Sequence, residues 1–337
     1  MTAELGISAA LALVVAWVLT YYLRTWLQQG GLMDVPNQRS SHDRPIPRGG
    51  GLGLLAGVGA GLIAVNVLAP EVAMPGRWFW VGWGIIICVS ILDDRAPLAA
   101  GLRFALHALA AGLVLYEQGG LAAFPAPEPL NFDLPIWMGY VLGWFWIMAV
   151  INIYNFLDGI NGFAGTQAVV AGLAMILIDP QGPGMVLGVL VAAGALGFLY
   201  FNFGKATIFM GDVGSISLGF LFATLPFYRA DAPIAEGVYL VIIVLWFFLA
   251  DGAFTILRRL WQRKKLWEAH REHYYQELVK AGWSHQRTVV VVMGIATGLF
   301  LVNYFIIKIY SELAIFTLVL SLLAMVGYWR LVRYVKP

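Results

Sequence analysis

A chain of 337 residues that is 60% hydrophobic, 14% aromatic and only 12% charged, with a mean hydropathy of +0.78, lies far outside soluble usage, where about a quarter of residues carry charge. This composition excludes a soluble globular enzyme and reads as an all-α, polytopic integral membrane protein. The formal net charge of +2 says little by itself, and no nucleic-acid partner is expected.

Apolar runs near the roughly 20 residues that a bilayer demands fall at about 5–27, 50–69, 77–92, 101–117, 135–154, 162–178, 184–201, 213–229, 236–257, 288–308 and 312–329, which predicts about 11 transmembrane helices. With the N-terminus outside, eighteen of the 21 Lys and Arg residues fall on the inner side, leaving Arg77, Arg229 and Lys308 outside. The expected topology is therefore N-terminus out and C-terminus in. The first run lacks a basic leader and a small-residue cleavage pattern, so it reads as a retained span. A single cysteine, Cys88, lies within a run, which rules out a disulfide framework and suggests simple interior packing.

The first inner segment runs from Asp34-Val35-Pro36-Asn37 through Arg39-Ser40-Ser41-His42 to Pro47-Arg48-Gly49-Gly50-Gly51. Prolines fix its backbone, glycines permit close approach, and arginines such as Arg48 offer forks for an anion. An ordinary basic loop is the competing reading. The third run ends in Asp93-Asp94-Arg95. Two adjacent carboxylates at a membrane boundary are tolerable mainly beside a cation or a cationic partner. Arg103, opening the next run, reads either as a snorkelling residue or as a contact for a lipid phosphate. The outer segment at about 118–134 is a turn-rich connector.

Asn152, Asn155 and Asp158 recur every third residue. On a helix, three residues fall about 60° short of a full turn, so these side chains would form one polar edge. Buried without partners they would cost about 1–3 kcal/mol each, so they need a ligand or one another. The seventh run leads into Asn202 and then Phe209-Met210-Gly211-Asp212. Asp212, flanked by glycines and opening a helix, suits a hard cation bound through oxygen or a helix cap. Phe209 is padding or a face for a stacked base. Asp251 is an intramembrane acid without an assigned role. In the long basic inner segment, His270 and His273 would share a helical face. A third zinc ligand at the usual spacing is missing, so contact with a phosphate or sugar fits better beside so many cations. Part of that positive charge is expected to meet anionic membrane lipids.

Together, Asp93-Asp94, Asn152-x-x-Asn155-x-x-Asp158-Gly159, Phe209-Met210-Gly211-Asp212 and His270-x-x-His273 resemble the motifs of the polyprenyl-phosphate N-acetylhexosaminyl-1-phosphate transferases, in the same order, over about residues 32–276. The first inner segment looks most like the O-antigen and exopolysaccharide branch. The resemblance implies that undecaprenyl phosphate attacks the β-phosphorus of a UDP-N-acetylhexosamine and that UMP is released. It implies Mg²⁺, with Mn²⁺ as an alternative, on Asp212. Asp93 and Asp94 become acceptor-side acids, with Arg48 and Arg103 as substrate contacts. Asn152, Asn155, Asp158, Asn202 and Phe209 fall around the nucleotide sugar, and His270 and His273 contact the diphosphate or complete the site. Asn161 departs from the pattern, since Asp is frequent there in the family. The short histidine motif argues against a pentapeptide-bearing donor.

The expected organisation is one transmembrane catalytic domain over 1–337, with inner-face loops at about 28–49, 93–100, 155–161, 202–212 and 258–287, in the bacterial inner membrane and with its site facing the cytoplasm. A homodimer is compatible with this reading. A secondary transporter is the competing class, and it predicts polar groups near mid-bilayer and two related halves. A CDP-alcohol phosphatidyltransferase is disfavoured because its Asp-Gly-x-x-Ala-Arg pattern is absent at Asp158-Gly159-Ile160-Asn161.

Overall fold

The computed structural model describes residues 2–30, 33–36, 44–230, 232–264 and 271–335. Thirteen α-helices account for most of them: α1 (Thr2–Gln29), α2 (Gly51–Leu68), α3 (Arg77–Arg95), α4 (Ala100–Gln118), α5 (Ile136–Phe156), α6 (Phe163–Ile178), α7 (Pro183–Asn202), α8 (Asp212–Thr224), α9 (Ile234–Val244), α10 (Trp246–Trp261), α11 (Tyr274–Lys280), α12 (His285–Ile309) and α13 (Phe316–Val335). The exception to the all-helical expectation is a small antiparallel ribbon of β1 (Met33–Asp34) and β2 (Ile46–Pro47), which pairs Met33 with Pro47 and Asp34 with Ile46.

Every apolar run predicted from the sequence contains a helix. Seven helices, α1, α2, α4, α5, α7, α12 and α13, are long and apolar enough to cross a membrane, and an eighth span results if the bent pair α9 and α10 counts as one. The chain is a multi-pass membrane protein. Three runs fall short for identifiable reasons. α6 has only 16 residues, α8 has 13 before its 3-10 extension Leu225–Tyr228, and α3 carries Arg77, Asp93, Asp94 and Arg95 in its end turns.

Small residues set the closest crossings, as expected where lipid removes the hydrophobic drive between helices. Gly172 of α6 and Gly188 of α7 face each other so closely that a Cβ on either would meet the other's carbonyl oxygen. α9 and α10 are bent by 79° at a break containing neither proline nor glycine. A carbonyl freed by such a break needs a donor within the protein. The buried Gln167 amide supplies it, donating to Val244 O at 3.1 Å.

An aromatic stack joins α5, α6, α10 and α11. Phe163 packs on Phe248 with centroids 4.8 Å apart and on Tyr275 at 4.6 Å, while Tyr154 lies 5.2 Å from Phe248. Pairs of this kind add about 0.5–1.5 kcal/mol each beyond their burial. Cys88, expected in the interior, is instead exposed on α3.

Candidate active site

The site begins where α3 meets α8. The first N–H groups of a helix have no partner within it and favour negative charge. At α8 the carboxylate of Asp94 fills that role: Oδ1 accepts from Asp212 N and Oδ2 from Val213 N, both at 3.1 Å. Gly211, with φ at 77°, makes the approach possible, since a Cβ there would lie 2.8 Å from Asp94 Oδ2. Asp93, on the same turn, accepts from Leu98 N at 2.7 Å and from Arg103 at 2.6 Å. The Arg103 guanidinium lies 3.9 Å from Asp212 as well.

Arg48 closes the cluster from the other side. Phe209 N donates to Pro47 O at 2.8 Å, while Gly49 N and Gly50 N donate to Phe209 O at 3.1 and 2.8 Å, so the end of β2 and the residues after it are laced to the segment before α8. This pairing leaves the Arg48 side chain 3.0 Å from Asp94 Oδ1 through Nε and hydrogen-bonded to Asp212. Burial disfavours the Arg48 charge, but the carboxylates of Asp212, Asp94, Asp34 and Asp158 more than offset it and raise its pKa.

The polar stripe of α5 divides into different roles. The helix ends at Phe156, so Asp158 leaves it in a turn whose N–H bonds to Asn155 O at 3.2 Å. Asn152 was expected on a ligand-facing edge, but its amide donates back to Met148 O at 2.7 Å, one turn earlier in its own helix. The side-chain oxygen Oδ1 of Asn155 accepts from Ser215 Oγ at 2.6 Å. Burial pushes the Asp158 carboxyl up to about 7, with Arg48 opposing and Asp212 and Asp94 adding to the shift. Its carboxylate makes no hydrogen bond or ion pair among the described residues.

Asn202 is buried and holds the framework. It accepts from Gly162 N at 2.8 Å and donates to Ile208 O at 2.9 Å, tying the start of α6 to the segment before Phe209. Asn161, the departure from the family pattern, uses its amide as a donor to Gly204 O at 2.6 Å, a bond that an ionised Asp could not make.

His270 lies outside the described residues. His273 is buried at the start of α11, with Nδ1 3.1 Å from Asp251. Glu272, one of the two residues between the histidines, pairs instead with Arg259 at 3.3 Å and Lys264 at 2.7 Å.

The sequence profile of Glycosyl transferase family 4 matches residues 77–229. A Bacillus subtilis protein named "Probable undecaprenyl-phosphate N-acetylglucosaminyl 1-phosphate transferase" is 33% identical over 78% of this chain and 74% of its own length. The chain belongs to the polyprenyl-phosphate N-acetylhexosaminyl-1-phosphate transferase family. Similar relatives include the decaprenyl-phosphate N-acetylglucosaminephosphotransferase of Mycolicibacterium smegmatis, 27% identical over 84% of this chain and 78% of that one. The undecaprenyl-phosphate alpha-N-acetylglucosaminyl 1-phosphate transferase of Escherichia coli K12 is 27% identical over 94% of this chain and 89% of its own.

For a member of this transferase family the charge balance of the cleft is informative. Asp93, Asp94, Asp158 and Asp212 face Arg48 and Arg103, and Asp158 senses Arg48, Asp212 and Asp94 together. That excess of carboxylates fits a divalent cation. Among the described residues no three His, Cys, Asp or Glu side chains are placed to hold an ion by themselves. Magnesium typically takes one or two protein carboxylates and completes its shell with substrate oxygens and water, so Asp212 with a diphosphate is a fitting donor set.

The transferase profile covers Asp93, Asp94, Arg103, the α5 stripe, Asn202, Phe209 and Asp212, whereas Arg48, Asp251 and His273 lie outside it. Two contributors escaped the sequence reading. Ser215 carries a weak signal, three residues past Asp212 and so on the same side of α8. Tyr275 carries none, because its contact with the loop around Asp158 depends on how α11 docks.

Proposed function

We propose that this protein transfers N-acetylhexosamine 1-phosphate from a UDP-N-acetylhexosamine to undecaprenyl phosphate. An oxygen of the lipid phosphate attacks the β-phosphorus, the bond from that phosphorus to the bridging oxygen breaks, and UMP leaves with the bridging oxygen. The product is undecaprenyl-diphospho-N-acetylhexosamine. The names of the relatives point to N-acetylglucosamine as the first sugar to test. The observation that carries the reading is the bond pair from Asp212 N and Val213 N to Asp94, which joins the acceptor-side and donor-side motifs in one ion-paired cleft.

In this reading Arg103 and Arg48 receive phosphate oxygens, with Arg103 beside Asp93 on the acceptor side. The Asn155 amide and the face of Phe209 bound the nucleotide, with uracil on Phe209. Both Asp94 oxygens already serve α8, so Asp94 acts by holding Asp212 rather than by taking a proton. A phosphate monoester is largely ionised near neutral pH and needs no strong base. Asp212 would hold Mg²⁺, which neutralises diphosphate charge as the phosphoryl group moves. In this reading Asp158 faces the sugar nucleotide and His273 the diphosphate.

The positive-inside reading of the sequence, which assigns 18 of the 21 Lys and Arg residues to one side, supports a bacterial inner-membrane enzyme working at the cytoplasmic face. The whole chain would act as one transmembrane catalytic unit at the first lipid-linked step of O-antigen or another cell-envelope polysaccharide. Purified protein given undecaprenyl phosphate, Mg²⁺ and a panel of UDP-N-acetylhexosamines differing at C4 and C6 tests this directly. Equal amounts of lipid-linked sugar and UMP are expected from at least one donor. No product from any donor would defeat the proposal.

A further inference from the structure

Asp251 is unused by the scheme above, yet it is 1% exposed in α10, well past the break between α9 and α10. A carboxylate so deep is costly unless donors surround it. Oδ1 meets Nδ1 of His273 at 3.1 Å, the N–H of Tyr274 at 3.0 Å and the Thr255 hydroxyl at 3.2 Å, and Oδ2 meets the N–H of Tyr275 at 3.2 Å. The two backbone donors fix the chain on either side of Tyr274. The imidazole is held between the carboxylate and the ring of Tyr275, whose centroid lies 5.8 Å away. A carboxylate that accepts from Nδ1–H selects the tautomer whose Nε2 carries a lone pair.

Tyr275 places that histidine beside the site. Its ring stacks on Phe163 at 4.6 Å, its hydroxyl lies 3.5 Å from Phe156 O, and a Cβ on Gly159 would run into that hydroxyl. Phe156 and Gly159 bracket Asp158, so one tyrosine separates the His273 ring from the loop that carries the Asp158 carboxyl.

We propose that Asp251 is a positioning residue for the transfer reaction. It fixes the tautomer and orientation of His273 and touches neither substrate. This inference rests on the transferase reading and on His273 acting in the cleft.

The test is a double-mutant cycle on purified protein with UDP-N-acetylglucosamine, undecaprenyl phosphate and Mg²⁺, using radiolabel to follow weak variants. Asp251→Asn is expected to lower kcat by about 30-fold while KM for the sugar nucleotide moves by less than about threefold. In a His273→Ala background the same change is expected to cost less than about threefold, because the partner through which it acts is gone. Losses that multiply, or an Asp251→Asn enzyme with unchanged kcat, overturn the inference while leaving the transferase reading standing. Absence of wild-type turnover with every UDP-N-acetylhexosamine of the donor panel overturns that reading, and this inference with it. Should Asp251→Asn fail to fold, Thr255→Val removes one donor from the same oxygen. Its expected loss of about threefold must vanish in the His273→Ala background, and persistence of that loss counts against the role.

Discussion

Asp94 caps the helix that Asp212 opens, each of its oxygens accepting a backbone N–H of that helix at 3.1 Å. The acid at the end of α3 thus fixes the acid at the start of α8, although 118 positions separate them. Asp94→Ala removes the acceptor for both N–H groups and one partner of Arg48. It should cost about 1–2 kcal/mol of stability, in the range of a lost helix cap, and at least about a hundredfold in turnover. Asp94→Asn keeps one acceptor and should fall between wild type and Asp94→Ala. Melting in detergent and steady-state turnover check both values, and a wild-type melt for Asp94→Ala would contradict the capping role.

Ser215 directs the amide of Asn155. Because its hydroxyl donates to Asn155 Oδ1 at 2.6 Å, the amide's N–H groups are left to donate elsewhere. Ser215→Ala loses roughly one neutral hydrogen bond, about 1 kcal/mol, so KM for the sugar nucleotide should rise about threefold to tenfold with kcat nearly unchanged. An equal fall in kcat at constant KM would place the effect in the transition state instead.

Asp158 makes stability depend on pH. Its carboxyl titrates near 7 in the folded chain against an ordinary 3.8, so between those values the folded state holds a proton that the unfolded state has released. Stability must then fall as pH rises through that window. Asp158→Asn cannot ionise, and it should melt several degrees above wild type at pH 8, with the gap closing near pH 4.5. A gap that stays constant with pH would show that burial does not hold this carboxyl back.

Asn161 is fixed by what its amide donates to. The bond from its Nδ2 to Gly204 O becomes an oxygen facing an oxygen in Asn161→Asp. The expected cost is about 1–3 kcal/mol, seen as a lower melting temperature that partly recovers at low pH when the new carboxyl protonates. Equal melting of the two proteins at pH 8 would remove Asn161 from the framework.

The helices were legible because lipid leaves a backbone few other choices, and the acids stood out because each is expensive in an apolar run. Hydropathy could not separate the interior from the lipid-facing surface, since both are apolar, which is why Cys88 is exposed where interior packing was expected. The stripe Asn152, Asn155 and Asp158 was visible as a pattern, but α5 ends at Phe156, and the three side chains have separate tasks. Asn202 read as a ligand contact because its polarity is equally well explained by two backbone groups that only the fold supplies. The break after Val244 lacks the proline or glycine that would have announced it. Asp251 therefore read as a lone intramembrane acid, although it faces the start of α11.

The central claim is that transfer occurs at the cleft where Asp94, Arg48 and Arg103 surround Asp212. The direct measurement is radiolabelled lipid product and UMP formed by wild type and by Asp212→Asn, side by side, across a Mg²⁺ titration. Wild type should form the two products in equal amounts and only with metal, while Asp212→Asn, eluting and melting as a folded protein, should lose at least about a thousandfold. Metal-dependent turnover that survives in Asp212→Asn would contradict the account.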